Sequence, residues 1–350
     1  NIIKKIHKAI SIIQFKLEGK IIQRNPNFIM NDRLLLNMID YEKGIIKIAE
    51  KTYKLSDNYF PTINPKNPYE LTIEEKDVME KLRLSYKNNE KLQKHTRFLF
   101  SKGSMYLTYN SNLLFHGCIP MDKKGVFNKV TIDGESYGGK ELIDKIEMLI
   151  REYYFNNNNE LNNIDYFWYL WTGPDSPLFG KNKMATFERY FLNDKAIKKE
   201  DKNSYYRYRD SEDKCREILQ EFGISEDNSH IINGHVPVEV KKGESPIKAK
   251  GKLLVIDGGL SEAYQHITGI AGYTLIYNSY GLLMVAHEKF ESKKKAIDNE
   301  KDIVSSYQIL EKNNKRLRVK NTDIGKELKK EIIGLKMLLQ AYHKGIIKEK

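Results

Sequence analysis

The chain is 350 residues long with a mass of 41.0 kDa, enough for one large domain or two ordinary ones. An apolar share of 40% excludes disorder by composition, and 59 Lys/Arg against 47 Asp/Glu leave a net charge of +12. Two cysteines exclude a disulfide scaffold and fit a reducing cytoplasm, the expected location, and no apolar run approaches the ~20 residues that would span a bilayer.

Three regions separate by pattern. Residues 1–100 read as a mainly helical segment. Ile2, Ile3, Ile6, Ile10, Ile13 and Leu17 recur at helical spacing, while Lys4, Lys5 and Lys8 interrupt any signal-peptide core. A chain that opens inside such a helix without Met is expected to be a piece of something longer. A Pro/Asn-rich stretch from Pro61 to Pro68 interrupts the pattern, and Thr72 with Glu75 marks the next helix start.

Residues 101–290 alternate strands with helices. Asn110-Ser111 is a tight turn between apolar strands ending at Tyr109 and starting at Asn112. Helices are predicted through Leu142–Ile150 and from Ser211 to Phe222, the second stopped by Gly223. Strands are predicted at Ser229–Asn233 and Lys252–Ile256, with a hairpin from Tyr273 to His287 across Asn278-Ser279-Tyr280-Gly281. Residues 291–350 read as a helical tail, in which Ile324, Leu328, Ile332, Leu335, Leu338 and Leu339 keep helical spacing.

That tail carries 16 Lys/Arg against 9 Asp/Glu, most of the surplus charge. Nucleic-acid binding would ask for a basic stripe with interleaved aromatics or a readable motif, and neither is present. The basic cluster Lys312, Lys315, Arg316, Arg318 and Lys320 therefore reads as solvated surface, with no nucleic-acid or membrane partner expected.

Of eight histidines, His7, His95 and His343 lie in amphipathic helical patterns, and His230, His266 and His287 read as structural residues near strands or loops. His116 and His235 differ, since each ends an apolar strand beside a glycine, in Phe115-His116-Gly117 and Asn233-Gly234-His235. A strand-end imidazole can face a polar cavity while its backbone stays in the sheet, and the glycine lets a metal or phosphate approach. Spacing alone leaves open whether they are ligands or satisfied strand-end histidines.

Leu-Leu-Phe-His-Gly-Cys-Ile-Pro (113–120) and Ile-Ile-Asn-Gly-His-Val-Pro-Val (231–238) resemble the last two metal-binding motifs of calcineurin-like metallophosphoesterases. With Asn31–Leu36, Ile39–Gly44, Leu170–Lys181 and Gly251–Tyr280, the chain more closely resembles class 3 fructose-1,6-bisphosphatase over essentially its whole length. That family opens its site with Asp-x-His, Gly-Asp-x-x-Asp-Arg and Gly-Asn-His motifs, and none of these strings occurs in the 350 residues. The resemblance is thus to the C-terminal portion, lacking the upstream metal motifs.

Several expectations follow from the resemblance. The fold is α/β (α+β): part of a sandwich of mixed β-sheets flanked by helices, with 101–290 as its C-terminal half and helical additions at either end. The activity is metal-dependent hydrolysis of fructose 1,6-bisphosphate to fructose 6-phosphate and phosphate, in gluconeogenesis. His116 and His235 would share one metal of a dinuclear Mn2+ site, where two ions clamp the phosphate oxygens and activate water. Lys181, Lys183 and Arg189 follow the Trp171–Gly180 loop, where related phosphatases place a phosphate-binding arginine. No catalytic acid or base can be assigned. Two ligands leave an ion largely hydrated, so the chain alone is expected to bind metal weakly and to be inactive. Its partners would be the sugar bisphosphate and the missing N-terminal portion. Half a sandwich exposes apolar sheet surface, so a homo-oligomer is possible. The alternative is a catalytically incomplete half acting as an association or assembly module.

Other chemistries fail. Gly173 and Gly180-Lys181 have the wrong spacing for a P-loop, with Asn182 where Ser/Thr is required, and no Gly-x-Ser-x-Gly elbow exists. Asp257 before Gly258-Gly259 reads as a turn-stabilising aspartate, Cys118 as a small buried residue, and Gly138-Gly139 as a plain helix-entry turn.

Overall fold

A computed structural model of the chain describes residues 2–156, 161–257, 261–288, 292–300 and 305–347; Gly258 and Gly259 lie outside the described residues. The chain divides into two compact units, Asn1–Met105 with Cys118–Arg207, and Tyr106–Gly117 with Tyr208–Lys350. It is a mixed α/β protein with several sheets and flanking helices, the class the resemblance implies.

In the first unit the helix Ile2–Arg24 buries Ile12, Ile13, Phe15, Lys16, Gly19 and Ile22. Ile2, Ile3, Ile6 and Ile10 stay exposed, so the apolar periodicity is right while its first turns are not buried in the core. Gly19 is required by packing: a Cβ there would lie 2.1 Å from the Tyr69 ring. Ile12 and Phe15 join Leu35, Leu36, Ile46, Phe187 and Phe191 in one core cluster, while Ile22 joins Phe28, Leu142, Ile146 and Tyr169 in another. Thr72 and Glu75 form a reciprocal capping box on the helix Ile73–Lys87, as the sequence predicts. Within the mainly helical stretch lies a small antiparallel sheet, Ile39–Asp40, Ile45–Ile48 and Lys51–Lys54. Strands of two to four residues alternate over too few positions to show a period of two, which is why no strand is legible there.

The second unit holds a five-stranded mixed sheet. In chain order its strands are β1 (Tyr106–Tyr109), β2 (Asn112–Phe115), β3 (His230–Asn233), β4 (Ile247–Lys248) and β5 (Leu253–Val255), arranged β1-β2-β3-β5-β4. Asn110 and Ser111 turn the β1–β2 hairpin with φ of 47° and 61°, both left-handed, as a two-residue hairpin turn demands. The central trio β2, β3 and β5 is parallel. A second, antiparallel sheet comprises β6 (Gly272–Asn278), β7 (Gly281–His287) and β8 (Ser305–Lys312). Ile232 and Leu254 of the first sheet pack on Leu282 and Met284 of the second, forming a two-sheet core. The helix Glu212–Glu221 starts at Ser211, whose side chain accepts from the Lys214 N–H, and ends before Gly223 at φ 75°, as predicted.

The stretch 291–350 is not uniformly helical, because β8 lies inside it. Its Tyr307 and Ile309 face solvent while Leu310 reaches the core, a pattern that β7 organises by cross-strand pairing. The predicted helix follows as Asp323–His343, capped by Thr322. Ile324, Leu328, Ile332, Leu335, Leu338 and Leu339 are all exposed, and Gly325 is its buried residue. Monomers rarely leave such a stripe uncovered. The chain produced alone is therefore expected to self-associate. Sedimentation velocity should show the Leu335→Lys/Leu339→Lys double variant shifting toward monomer; an unshifted distribution would place the association elsewhere. Among the described residues no helix is long and apolar enough to cross a membrane.

Candidate metal centre

Parallel register decides where the chemistry can sit. Phe115 pairs with Asn233, and Asn233 with Val255, so β2, β3 and β5 end at the same carboxyl edge. His116 follows β2, Gly234-His235 follows β3 and Ile256-Asp257 follows β5. Carboxyl edges of parallel strands are where open α/β sheets bind ligands, because the chain leaves the sheet there with free polar groups.

At that edge the two histidines predicted from sequence converge. His235 Nδ1 lies 3.1 Å from His116 Nε2, with the rings edge to face at 80°. Two imidazole nitrogens on adjacent sites of one ion, each with a bond of ~2.1 Å, would stand about 3.0–3.4 Å apart, so the pair fits a shared divalent cation. The same separation allows a direct N–H···N hydrogen bond when the rings hold complementary tautomers. Either way the two nitrogens are direct neighbours, and with His116 exposed and His235 half-buried they lie where solvent can reach.

The backbone is bent to achieve this. His235 has φ of 66°, and the Val236 N–H bonds to the Gly234 carbonyl at 2.8 Å, closing a three-residue turn around it. A side chain at positive φ costs on the order of 1 kcal/mol, which the surrounding hydrogen bonds must offset. Gly234 N–H bonds to the His116 carbonyl at 3.1 Å, extending the parallel ladder one step beyond the strands. A Cβ on Gly234 would sit 3.4 Å from His116 Nδ1, so the glycine leaves the ring room against the backbone.

Sequence reasoning missed the residue that ties the two strand ends. Asn233 is buried, and its Nδ2 donates toward the carbonyls of Phe115, His116 and Gly117 at 3.3, 3.0 and 2.9 Å. Arg209 Nη1, also buried, approaches the Asn233 Oδ1 at 3.5 Å. The available signal was a polar amide closing an otherwise apolar strand, a residue that must find partners if buried.

Among the described residues, no group of three or more His, Cys, Asp or Glu side chains is placed to hold a metal ion. The pair could therefore offer an ion two nitrogens. Asp257 ends at the same edge half-buried, its carbonyl accepting from the Val238 N–H at 2.9 Å.

Lys181, Lys183 and Arg189 belong to the other unit, and each has a carboxylate partner there. Glu200 bonds Lys181 at 2.8 Å and Arg189 at 3.0 Å. Burial works to raise the Glu200 carboxyl, but Lys181, the Ala185 N–H and the Arg189 charge hold it below the usual range. Lys183 Nζ lies 3.5 Å from the buried Glu188 and donates to the Ile197 carbonyl at 2.8 Å. In the same unit Glu18, Arg33, Tyr69 and Trp168 line a cavity of about 30 Å³. That holds a water or two, whereas small-molecule sites run to ~300 Å³ or more, so it is no sugar site.

Cys118 is buried, as its sequence reading has it, and so is Cys215; desolvation raises both thiols, that of Cys215 to about 12, which disfavours the reactive thiolate. His230 joins the Gly251 carbonyl to Glu311, and His287 bridges Thr274 and Ser305, both structural roles.

The profile of the Firmicute fructose-1,6-bisphosphatase family matches residues 1–344. Class 3 fructose-1,6-bisphosphatase of Alkaliphilus metalliredigens is 63% identical over 353 positions, covering 99% of this chain and 53% of its own length. Those of Clostridium novyi and Clostridium acetobutylicum are each 58% identical, over 100% and 99% of this chain and 53% of theirs. The chain thus spans about half the length of the curated relatives it matches. No solved structure matches it. A family match across residues 1–344 and relatives 58–63% identical over nearly the whole chain agree: the chain belongs to the Firmicute fructose-1,6-bisphosphatase family.

Proposed function

We propose that this chain is the portion of a cytoplasmic class 3 fructose-1,6-bisphosphatase that supplies two histidine ligands of its metal site. The whole enzyme would hydrolyse fructose 1,6-bisphosphate to fructose 6-phosphate and phosphate, in gluconeogenesis. The observation that carries this reading is the 3.1 Å convergence of His116 Nε2 and His235 Nδ1 at a parallel carboxyl edge.

His116 and His235 would hold a divalent cation, manganese being the expected metal, and it would supply charge neutralisation at the phosphoryl group and a more acidic water. The chain's own residues orient. His116 and His235 each present an imidazole nitrogen, a donor type suited to borderline divalent ions. Lys181, Lys183 and Arg189 are proposed as cations for the sugar's phosphates. Arg189 is the most available, being 57% exposed with one Nη on Glu200, so its guanidinium can still grip two phosphate oxygens. The alternative, an association module, draws on the uncovered face of the helix Asp323–His343.

Complementation separates the two. The chain alone should release no phosphate from fructose 1,6-bisphosphate with Mn2+, and should do so when mixed with the upstream half of the Alkaliphilus relative. A stable complex of the two halves without turnover would favour the association module. Phosphate release by the chain alone would overturn the view that its site is incomplete.

A further inference from the structure

From the packing at the strand ends we infer that Asn233 is a positioning residue that sets the spacing of the two histidines. The inference rests on the metal reading above and adds a device to it. In an extended strand successive carbonyls point to opposite sides, so one group cannot reach three in a row. Here the carbonyls of Phe115, His116 and Gly117 all lie within 3.3 Å of one nitrogen, the Asn233 Nδ2. The chain after β2 is therefore curled around that amide. The curl carries the His116 side chain away from its strand register and toward His235.

The amide orientation is fixed by chemistry. Three acceptors face one end, so that end must be the NH2 group, whose two hydrogens are shared with the shortest contacts at His116 and Gly117. The other end meets the Arg209 guanidinium, a donor, as an oxygen should. Asn233 is also the residue two before His235, within the three-residue turn's lead-in. One side chain thus holds the backbone of His116 from a strand that itself carries His235. Aspartate would set an acceptor against three carbonyls, and leucine would leave all three without this donor, so asparagine is chosen by hydrogen bonding and not by shape. Groups that orient metal ligands without touching the metal govern affinity through ligand geometry.

The test titrates Mn2+ into the chain and follows paramagnetic broadening of the His116 and His235 ring resonances, with thermal unfolding alongside. Asn233→Ala is expected to raise the apparent Kd by about 10-fold or more. Leu254→Ala, a buried inter-sheet core change, should lower the unfolding midpoint and leave Kd unchanged. Asn233→Ser keeps a shorter single donor, should give an intermediate Kd, and serves if the alanine variant fails to fold. An Asn233 variant that binds as the parent does overturns the positioning role. A parent chain binding Mn2+ no better than His116→Ala overturns the metal reading instead. The positioning role is then decided by a crystal structure of Asn233→Ser: a Nδ1–Nε2 separation widened beyond 3.1 Å supports it, and an unchanged one refutes it.

Discussion

Alanine at His116 or His235 is expected to cut manganese-dependent turnover of the complemented enzyme by at least ~10²-fold, since loss of a ligand should exceed the 10–100-fold typical of a residue that only orients one. Stability should respond quite differently at the two positions. His116 is exposed, so its loss should cost about 0.5 kcal/mol or less. His235 sits at φ 66°, where alanine inherits the same strain and glycine does not. His235→Gly is thus expected to gain about 1 kcal/mol in the folded chain while turnover disappears. A substitution that stabilises while it inactivates identifies strain kept for function, the reverse of what a structural histidine would show. The paired measurement is a thermal melt and a phosphate-release assay on the same preparations. Intact turnover in a variant would remove the substituted histidine from the site, and a lowered melting point for His235→Gly would deny the strain.

Much of this site is legible without coordinates because its elements are local. A strand that ends in His-Gly, and another that ends in Asn-Gly-His, mark two histidines at predictable boundaries, and the structure puts both boundaries in register with the ring nitrogens 3.1 Å apart. The helix Glu212–Glu221 and the Asn110-Ser111 turn are equally local, since capping and φ preference are decided within a few residues. What stays hidden depends on partners far away in sequence. Asn233 reads as the polar end of a short strand, and its carbonyl partners appear only when β2 is placed beside it. Lys181, Lys183 and Arg189 look like free cations until Glu188 and Glu200 are seen against them. The strand β8 is invisible beside the strong helical period that follows it, because its order comes from pairing with β7. Lys16 shows the same effect most sharply, as a charged residue whose place in an amphipathic helix suggests solvent and whose environment is the core.

That burial leads to the largest stability effect expected in the chain. Lys16 is fully buried in the helix Ile2–Arg24, with Nζ 2.7 Å from Glu75 Oε2 and 2.6 Å from the Thr62 carbonyl. The same Glu75 oxygen accepts the Thr72 N–H at 2.9 Å, so one carboxylate serves both the ion pair and the capping box. Removing one member leaves a buried charge without its counter-ion, at a cost of about 3–5 kcal/mol. Glu75→Gln should therefore be strongly destabilising although it is nearly isosteric and can still cap. Lys16→Met alone should be comparably harmful. The double variant Lys16→Met/Glu75→Gln should recover most of the loss, because neither charge then remains to be compensated. Acid gives an independent check. Burial by itself would raise the Glu75 carboxyl, but the hydrogen bonds from Lys16, Thr62 and the Thr72 N–H, with the Lys16 charge, hold it below its usual value. A carboxyl depressed in the folded state contributes stability above its unfolded pKa of about 4.3, and that contribution fades as pH falls through the folded value. The gap in unfolding free energy between the parent and the double variant, followed by urea titration, should accordingly be constant above about pH 5 and move in favour of the double variant below about pH 4. A gap independent of pH, or single variants as stable as the parent, would mean that Lys16 and Glu75 are not paired in the core.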